Sequence, residues 1–201
     1  TTGSSNTGLG YQSLFSNTTA SDNTAVGYQS LYSNTTGGSN TAVGQSALSA
    51  NTTGTRNTAI GRTALQSNTT ANDNTAGGYF AMYRNTTGAS NTAFGKAALE
   101  ENTTGANNVA VGALALDANT TASNNVAVGH NAASGSTTAT MTVAVGKDAL
   151  GSQTTGGAGA GYNTAVGGVA LASVTEGYYN TAVGYAAGNA YTSNALTAVG
   201  W

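Results

Sequence analysis

The chain has 201 residues, of which 6% are charged and 39% hydrophobic, with a net charge of -2 and neither proline nor cysteine. Five Lys/Arg spread over that length cannot form the phosphate-neutralising surface that nucleic acid needs. The absence of cysteine excludes disulfides and thiolate metal sites, and no apolar run reaches the length of a membrane-spanning helix. Low net charge without proline also sets the chain apart from disordered sequences, so Asn, Thr, Ser and Gly must solubilise an ordered fold.

In chain order, Thr1-Thr2-Gly3 reads as the closing loop of a preceding coil, and a motif of the form Asn-Thr-Ala-Val-Gly then begins to recur. Its glycine falls at Gly10, Gly27, Gly44, Gly61, Gly78, Gly95, Gly112, Gly129 and Gly146, always 17 residues apart, and resumes at Gly167, Gly184 and Gly200 with steps of 21, 17 and 16. Twelve coils are thus marked. A period this short does not suit helical hairpins, whereas Gly, Asn, Thr and Val suit strands and turns. The expected fold is all-β, a parallel β-solenoid in a single domain over 1-201, with like residues stacked from coil to coil. Strand spacing of ~4.8 Å would make twelve coils a rod of roughly 58 Å.

Within one coil, well represented by Asn23 to Ser39, the opening Asn precedes a first strand, Thr-Ala-Val-Gly-Tyr. A tight turn and a second strand, Ala-Leu-x-Ser, are expected next, and Asn-Thr-Thr-Gly closes the lap. Two aliphatic slots recur. One is filled by Leu9, Val26, Val43, Ile60, Phe94, Val111, Val128, Val145, Val166, Val183 and Val199, the other by Leu14, Leu31, Leu48, Leu65, Met82, Leu99, Leu116, Leu150 and Leu171. A three-sided hexapeptide helix would need a third, so a flattened two-sheet roll is expected. Period-two alternation puts Ala25 to Ala198 on one strand face and the Val slot on the other, with Val109, Val126 and Val143 joining it. The Ala face is expected to lie against the opposite sheet. The Val face, if exposed, is a hydrophobic stripe along the rod, and packing of three copies around it follows as an expectation.

The opening residues Asn6, Asn23, Asn40, Asn57, Asn74, Asn91, Asn108, Asn125, Asn163 and Asn180 are expected to form a structural ladder of hydrogen-bonded amides. A second series, Asn17, Asn34, Asn51, Asn68, Asn85, Asn102 and Asn119, is followed by Thr-Thr each time and matches the Asn-x-Thr glycosylation pattern in an expected surface loop. Sugars at coil spacing would crowd one another, so partial modification or none is expected, and the same residues also make a good turn. The Thr pairs, such as Thr18-Thr19 and Thr35-Thr36, could present two files of methyls and hydroxyls to ice, although adjacent residues of an extended segment point to opposite sides. Exposed Tyr32, Tyr83, Tyr178 and Tyr179 could stack on sugars or pack between loops.

Arg56 and Asp73 share a phase in successive coils, as do Glu100 and Asp117 with Glu101 beside them. The first pair is expected to be an exposed ion pair of little energetic weight. The acidic group is a sparse set for a calcium ion. His130, the single histidine, occupies a slot filled elsewhere by Tyr and has no carboxylate in its coil, so no catalytic residue, cofactor or metal is expected. The four extra residues of the long step are expected to bulge out within Gly156 to Gly161 without disturbing the register. Trp201 opens an unfinished coil. Splicing it to Thr1 leaves six residues of a coil unaccounted for, which favours a section of a longer protein over an end-to-end filament subunit, and any export signal is expected outside the segment.

Asn108-Val109-Ala110-Val111-Gly112, Asn125-Val126-Ala127-Val128-Gly129 and Val143-Ala144-Val145-Gly146 resemble the Val-Ala-Ile-Gly signature of trimeric autotransporter adhesin heads. The whole unit also resembles repeat arrays of bacterial and phage tail-fibre-like proteins, although its coils are longer than those of the adhesin heads. The resemblance implies a left-handed roll, a homotrimer, and surface attachment. The expected function is a structural segment of an extracellular fibre or adhesin, located outside the cell or on its surface and self-associating as a trimer or filament. The alternative is an ice- or glycan-binding module. Neither nucleic acid nor membrane insertion is expected, and the chain is not expected to be an enzyme.

Overall fold

The computed structural model describes residues 2–153 and 161–200. Twelve three-residue strands follow one another: β1 (Thr7–Leu9), β2 (Thr24–Val26), β3 (Thr41–Val43), β4 (Thr58–Ile60), β5 (Thr75–Gly77), β6 (Thr92–Phe94), β7 (Val109–Val111), β8 (Val126–Val128), β9 (Val143–Val145), β10 (Thr164–Val166), β11 (Thr181–Val183) and β12 (Thr197–Val199). They form one parallel sheet in strict sequence order, so the chain makes one lap between neighbours and the fold is a β-solenoid. Pairing keeps the motif in register, Thr24 opposite Thr41, Ala25 opposite Ala42 and Val26 opposite Val43. The register survives the long step, with Val143 opposite Thr164, and the short one, with Thr181 opposite Thr197. Of the expected bulge only Gly161 lies among the described residues. Thr1 and Trp201 lie outside them.

The expected second strand is not one. Among the described residues the sheet is single, and the Tyr-x-Ala-Leu-x-Ser side of each lap is a chain of turns. In the second coil Gln29 and Leu31 sit at φ 53° and 48°, and the same two positions are left-handed in nearly every lap. Left-handed residues fold the segment into a ribbon that donates N–H groups back to the preceding coil in its first part and forward to the next coil in its second. Gln29 N donates back to Tyr11 O at 2.9 Å, while Leu31 N and Ser33 N donate forward to Ala47 O and Ser49 O at 3.0 Å each. Every coil is therefore tied to both neighbours without a second sheet. A left-handed leucine costs roughly 1–2 kcal/mol, and burying its side chain recovers about that much. Leu31, Leu48, Leu65, Leu99, Leu116 and Leu150 are all fully buried, facing the strand alanines Ala25 to Ala182 across a thin core.

The marker glycine has its own reason. Gly44 lies at φ +137°, and a Cβ there would meet Gly61 O of the next coil at 2.5 Å. Only glycine supports that backbone, and it is what turns the strand into the ribbon.

Candidate functional site

The outer strand face carries the apolar stripe anticipated from the alternation. The central alanines of β2 to β11 point inward and are buried, while the Val slot is exposed at Leu9 (67%), Ile60 (49%) and Phe94 (47%). The remaining members range from half-buried to exposed, with Val111, Val128 and Val183 among the latter. The slot loses its side chain at Gly77, but Gly77 pairs with Phe94, and a Cβ on Gly77 would meet Phe94 Cδ1 at 2.5 Å. The Phe94 ring thus covers the gap, and the stripe continues unbroken.

The corner where each lap closes is built by asparagine. Asn23 Oδ1 accepts the Asn40 N–H at 2.9 Å, and Asn23 Nδ2 donates to Gly37 O at 3.0 Å, near the end of its own lap. Accepting the next coil's N–H recurs at Asn6, Asn40, Asn57, Asn74, Asn91, Asn108, Asn125, Asn163 and Asn180. The ladder read from the sequence therefore exists, with each rung joining coil to coil and each amide closing its lap. Asn125 is the member whose Nδ2 is left without an acceptor.

The second asparagine series is not on the surface. Asn34, Asn51, Asn68, Asn85, Asn102 and Asn119 are fully buried, and Asn17 is half-buried. Asn34 Nδ2 gives one hydrogen to Asn17 Oδ1 at 3.2 Å and the other to Gly37 O at 2.8 Å. One carbonyl per lap therefore receives two amides, one from each ladder. A sugar on this nitrogen would displace one of those bonds inside a closed space, so the folded rod has no room for it at the buried positions. The loop turns its asparagine inward because its tightly bent backbone needs a buried donor.

The Thr pairs divide in the same way. Thr35 is half-buried and its Oγ1 donates to Thr52 O at 3.0 Å, whereas Thr36 is exposed. Thr19, Thr36, Thr53, Thr70, Thr87, Thr104, Thr121 and Thr138 make one exposed file, where the ice-binding expectation needs two.

Aromatic rings mostly cover one another. Tyr11 stacks on Tyr28 with centroids 5.5 Å apart, Phe15 on Tyr32 at 5.3 Å, and Tyr83 and Tyr178 meet Phe80 and Tyr179 edge-on. A Gln12–Gln29 amide rung of 2.9 Å runs in the phase beside the first stack. Sequence reasoning did not anticipate these one-coil stacks, though the 17-residue spacing of Tyr11 and Tyr28 signals them.

Charges pair along the rod as their phase predicts. Arg56 grips Asp73 with two bonds of 2.6 and 2.9 Å, both side chains exposed, which holds the Asp73 carboxyl below its ordinary range. Arg84 pairs with Glu101 at 3.1 Å. Burial, reinforced by Glu100 and Glu101, raises Asp117 to about 6 against the effect of two backbone hydrogen bonds. Its Oδ1 is buried without a partner. Among the described residues no group of three or more His, Cys, Asp and Glu could hold a metal ion, and no helix is long and apolar enough to cross a membrane. His130 is exposed. No protein-family model, curated protein or solved structure matches the chain.

Proposed function

We propose that the chain is a structural segment of an extracellular fibre or adhesin, a rigid rod that associates with two further copies of itself through the Val-slot stripe. The observation that carries this reading is the stripe, an apolar file that runs the length of the sheet and is kept continuous by Phe94 leaning over Gly77. Isolated exposed apolar residues are ordinary on soluble proteins, but a contiguous file of this kind marks a packing surface. Elsewhere on the lap the amides close corners, several rings stack on one another, and Arg56–Asp73 and Arg84–Glu101 pair between coils. The stripe is the apolar feature that repeats in every lap, and a second and third copy present the same periodicity to it.

Light scattering coupled to size exclusion tests the reading: a folded sample with three times the chain mass is expected, falling to one chain mass in an Ile60→Asp, Phe94→Asp double variant that keeps its β circular dichroism. A natural chain that is folded and monomeric overturns it. Electron microscopy then separates discrete rods from continuous filaments.

A further inference from the structure

We propose that the eighth coil, Asn125 to Met141, and its contact with the ninth form a weak seam at which the rod opens to water before the interior coils preceding it do. Three departures from the repeat meet there. The core slot held by Leu99, Leu116 and Leu150 in neighbouring coils holds Ala133, fully buried and at the same left-handed φ of 50°. The inner amide ladder that begins at Asn17 ends at Asn119, and Ser136 and then Gln153 take its place. The opening asparagine of the ninth coil is replaced by Thr142.

Their consequences are visible in the buried polar atoms. Asn119 Oδ1, Asn125 Nδ2, Ser136 Oγ, Thr142 Oγ1 and both side-chain polar atoms of Gln153 are enclosed without a hydrogen-bond partner among the described residues. One lap earlier the matching atoms are satisfied: Asn119 Nδ2 donates to Asn102 Oδ1 at 2.8 Å, and Asn108 Nδ2 donates to Ala122 O at 2.9 Å. Ser136 is too short to reach the amide below it, which orphans Asn119 Oδ1. The 17-residue register stacks Asn119, Ser136 and Gln153 in one file, and Asn125 and Thr142 in the other, so the defects adjoin.

The backbone, in contrast, runs through the seam unbroken. Val126 N donates to Thr142 O at 2.9 Å, Ala133 N to Ala149 O at 2.9 Å and Gly135 N to Gly151 O at 3.1 Å, and β8 pairs β9 in full register. Geometry is preserved while the interior loses packing and polar ties together. Solenoid stability is close to a sum of coil terms and nearest-neighbour contacts, and local opening begins where those terms are smallest. An enclosed polar atom without a partner and an underfilled core slot both lower them.

Native-state hydrogen exchange on the intact chain provides the test. Amides from Ala132 to Thr142 are expected to exchange at least tenfold faster than those of the equivalent stretch four coils earlier, Ala64 to Asn74. Restoring the repeat with Ala133→Leu, Ser136→Asn and Thr142→Asn together is expected to slow the seam by at least tenfold while leaving Ala64 to Asn74 unchanged. Ser136→Asn alone, the smallest of the three changes, is expected to give part of that slowing. Equal protection of the two stretches in the natural chain overturns the proposal, as does fast seam exchange that neither the triple nor the single variant reduces.

Discussion

Replacing Asn57 with alanine removes a whole rung from the outer corner, and the structure states what is lost. Asn57 Nδ2 donates to Ala71 O at 2.8 Å and to Asn40 Oδ1 at 3.2 Å, and its Oδ1 accepts the Asn74 N–H at 3.0 Å. Two of these partners have substitutes: Ala71 O keeps Asn68 Nδ2, and Asn40 Oδ1 keeps the Asn57 backbone N–H. The Asn74 N–H has none. An orphaned buried donor costs roughly 1–3 kcal/mol and each lost neutral bond about 1 kcal/mol, so a loss of about 3–5 kcal/mol is expected. Asn57→Asp keeps the acceptor for Asn74 but sets an unpaired buried carboxylate against two oxygen acceptors, and it is expected to be worse than alanine. Because repeat arrays depart from two-state unfolding, the better assay is hydrogen exchange at matched protein concentration, read at the Asn74 amide and in the two flanking coils. If Asn74 stays protected and the loss is below about 1 kcal/mol, the corner is not held by its amides.

Gly44→Ala places a methyl group 2.5 Å from Gly61 O on a backbone at φ +137°; it is expected to cost roughly 3 kcal/mol or more, while Gly38→Ala, whose nearest neighbour is Ser21 O at 3.2 Å, changes the melting temperature little. Val169 is β-branched at φ 52°, where Asn131 stands in the same phase two laps earlier at φ 54°, so Val169→Asn is expected to stabilise the protein by about 1 kcal/mol in thermal melts. Asp117 binds its proton more tightly in the folded chain, near 6 against an ordinary 3.8, so stability falls as pH rises through that window and stays low above it. Discounted for the partial exposure of the carboxyl, the effect is about 1 kcal/mol. Melts of Asp117→Asn and the natural chain should therefore differ at pH 8 and converge below the ordinary carboxylate range; a constant difference refutes the assignment.

Much of this architecture was legible because the repeat reports on itself. The 17-residue step fixed the lap, the unvaried alanines from Ala25 to Ala198 pointed to a close approach inside the roll, and the Asn6 to Asn180 series marked the outer ladder. The turn side was misread for a physical reason: Ala47-Leu48-Ser49 has the composition of a short strand, and nothing in a leucine advertises φ 52°. Core burial overrides local preference there. The Asn17 to Asn119 series reads as a surface loop on its Asn-Thr-Thr-Gly turn chemistry, although a solvated loop has no need to repeat one amide in seven successive laps. That regularity was the available signal of burial. Ala133 was visible as a missing leucine, but only the enclosed atoms around Ser136 and Thr142 give the gap its meaning.

The two amide ladders share a polarity. In both, the earlier lap offers the side-chain oxygen and the later lap supplies the hydrogen, from Asn40 N to Asn23 Oδ1 and from Asn51 Nδ2 to Asn34 Oδ1. The two ends of the stack are therefore chemically unlike. An amide rung at the carboxy-terminal end presents an oxygen to whatever follows, and one at the amino-terminal end presents hydrogens to whatever precedes, so a further coil fits each end only with the same chain direction.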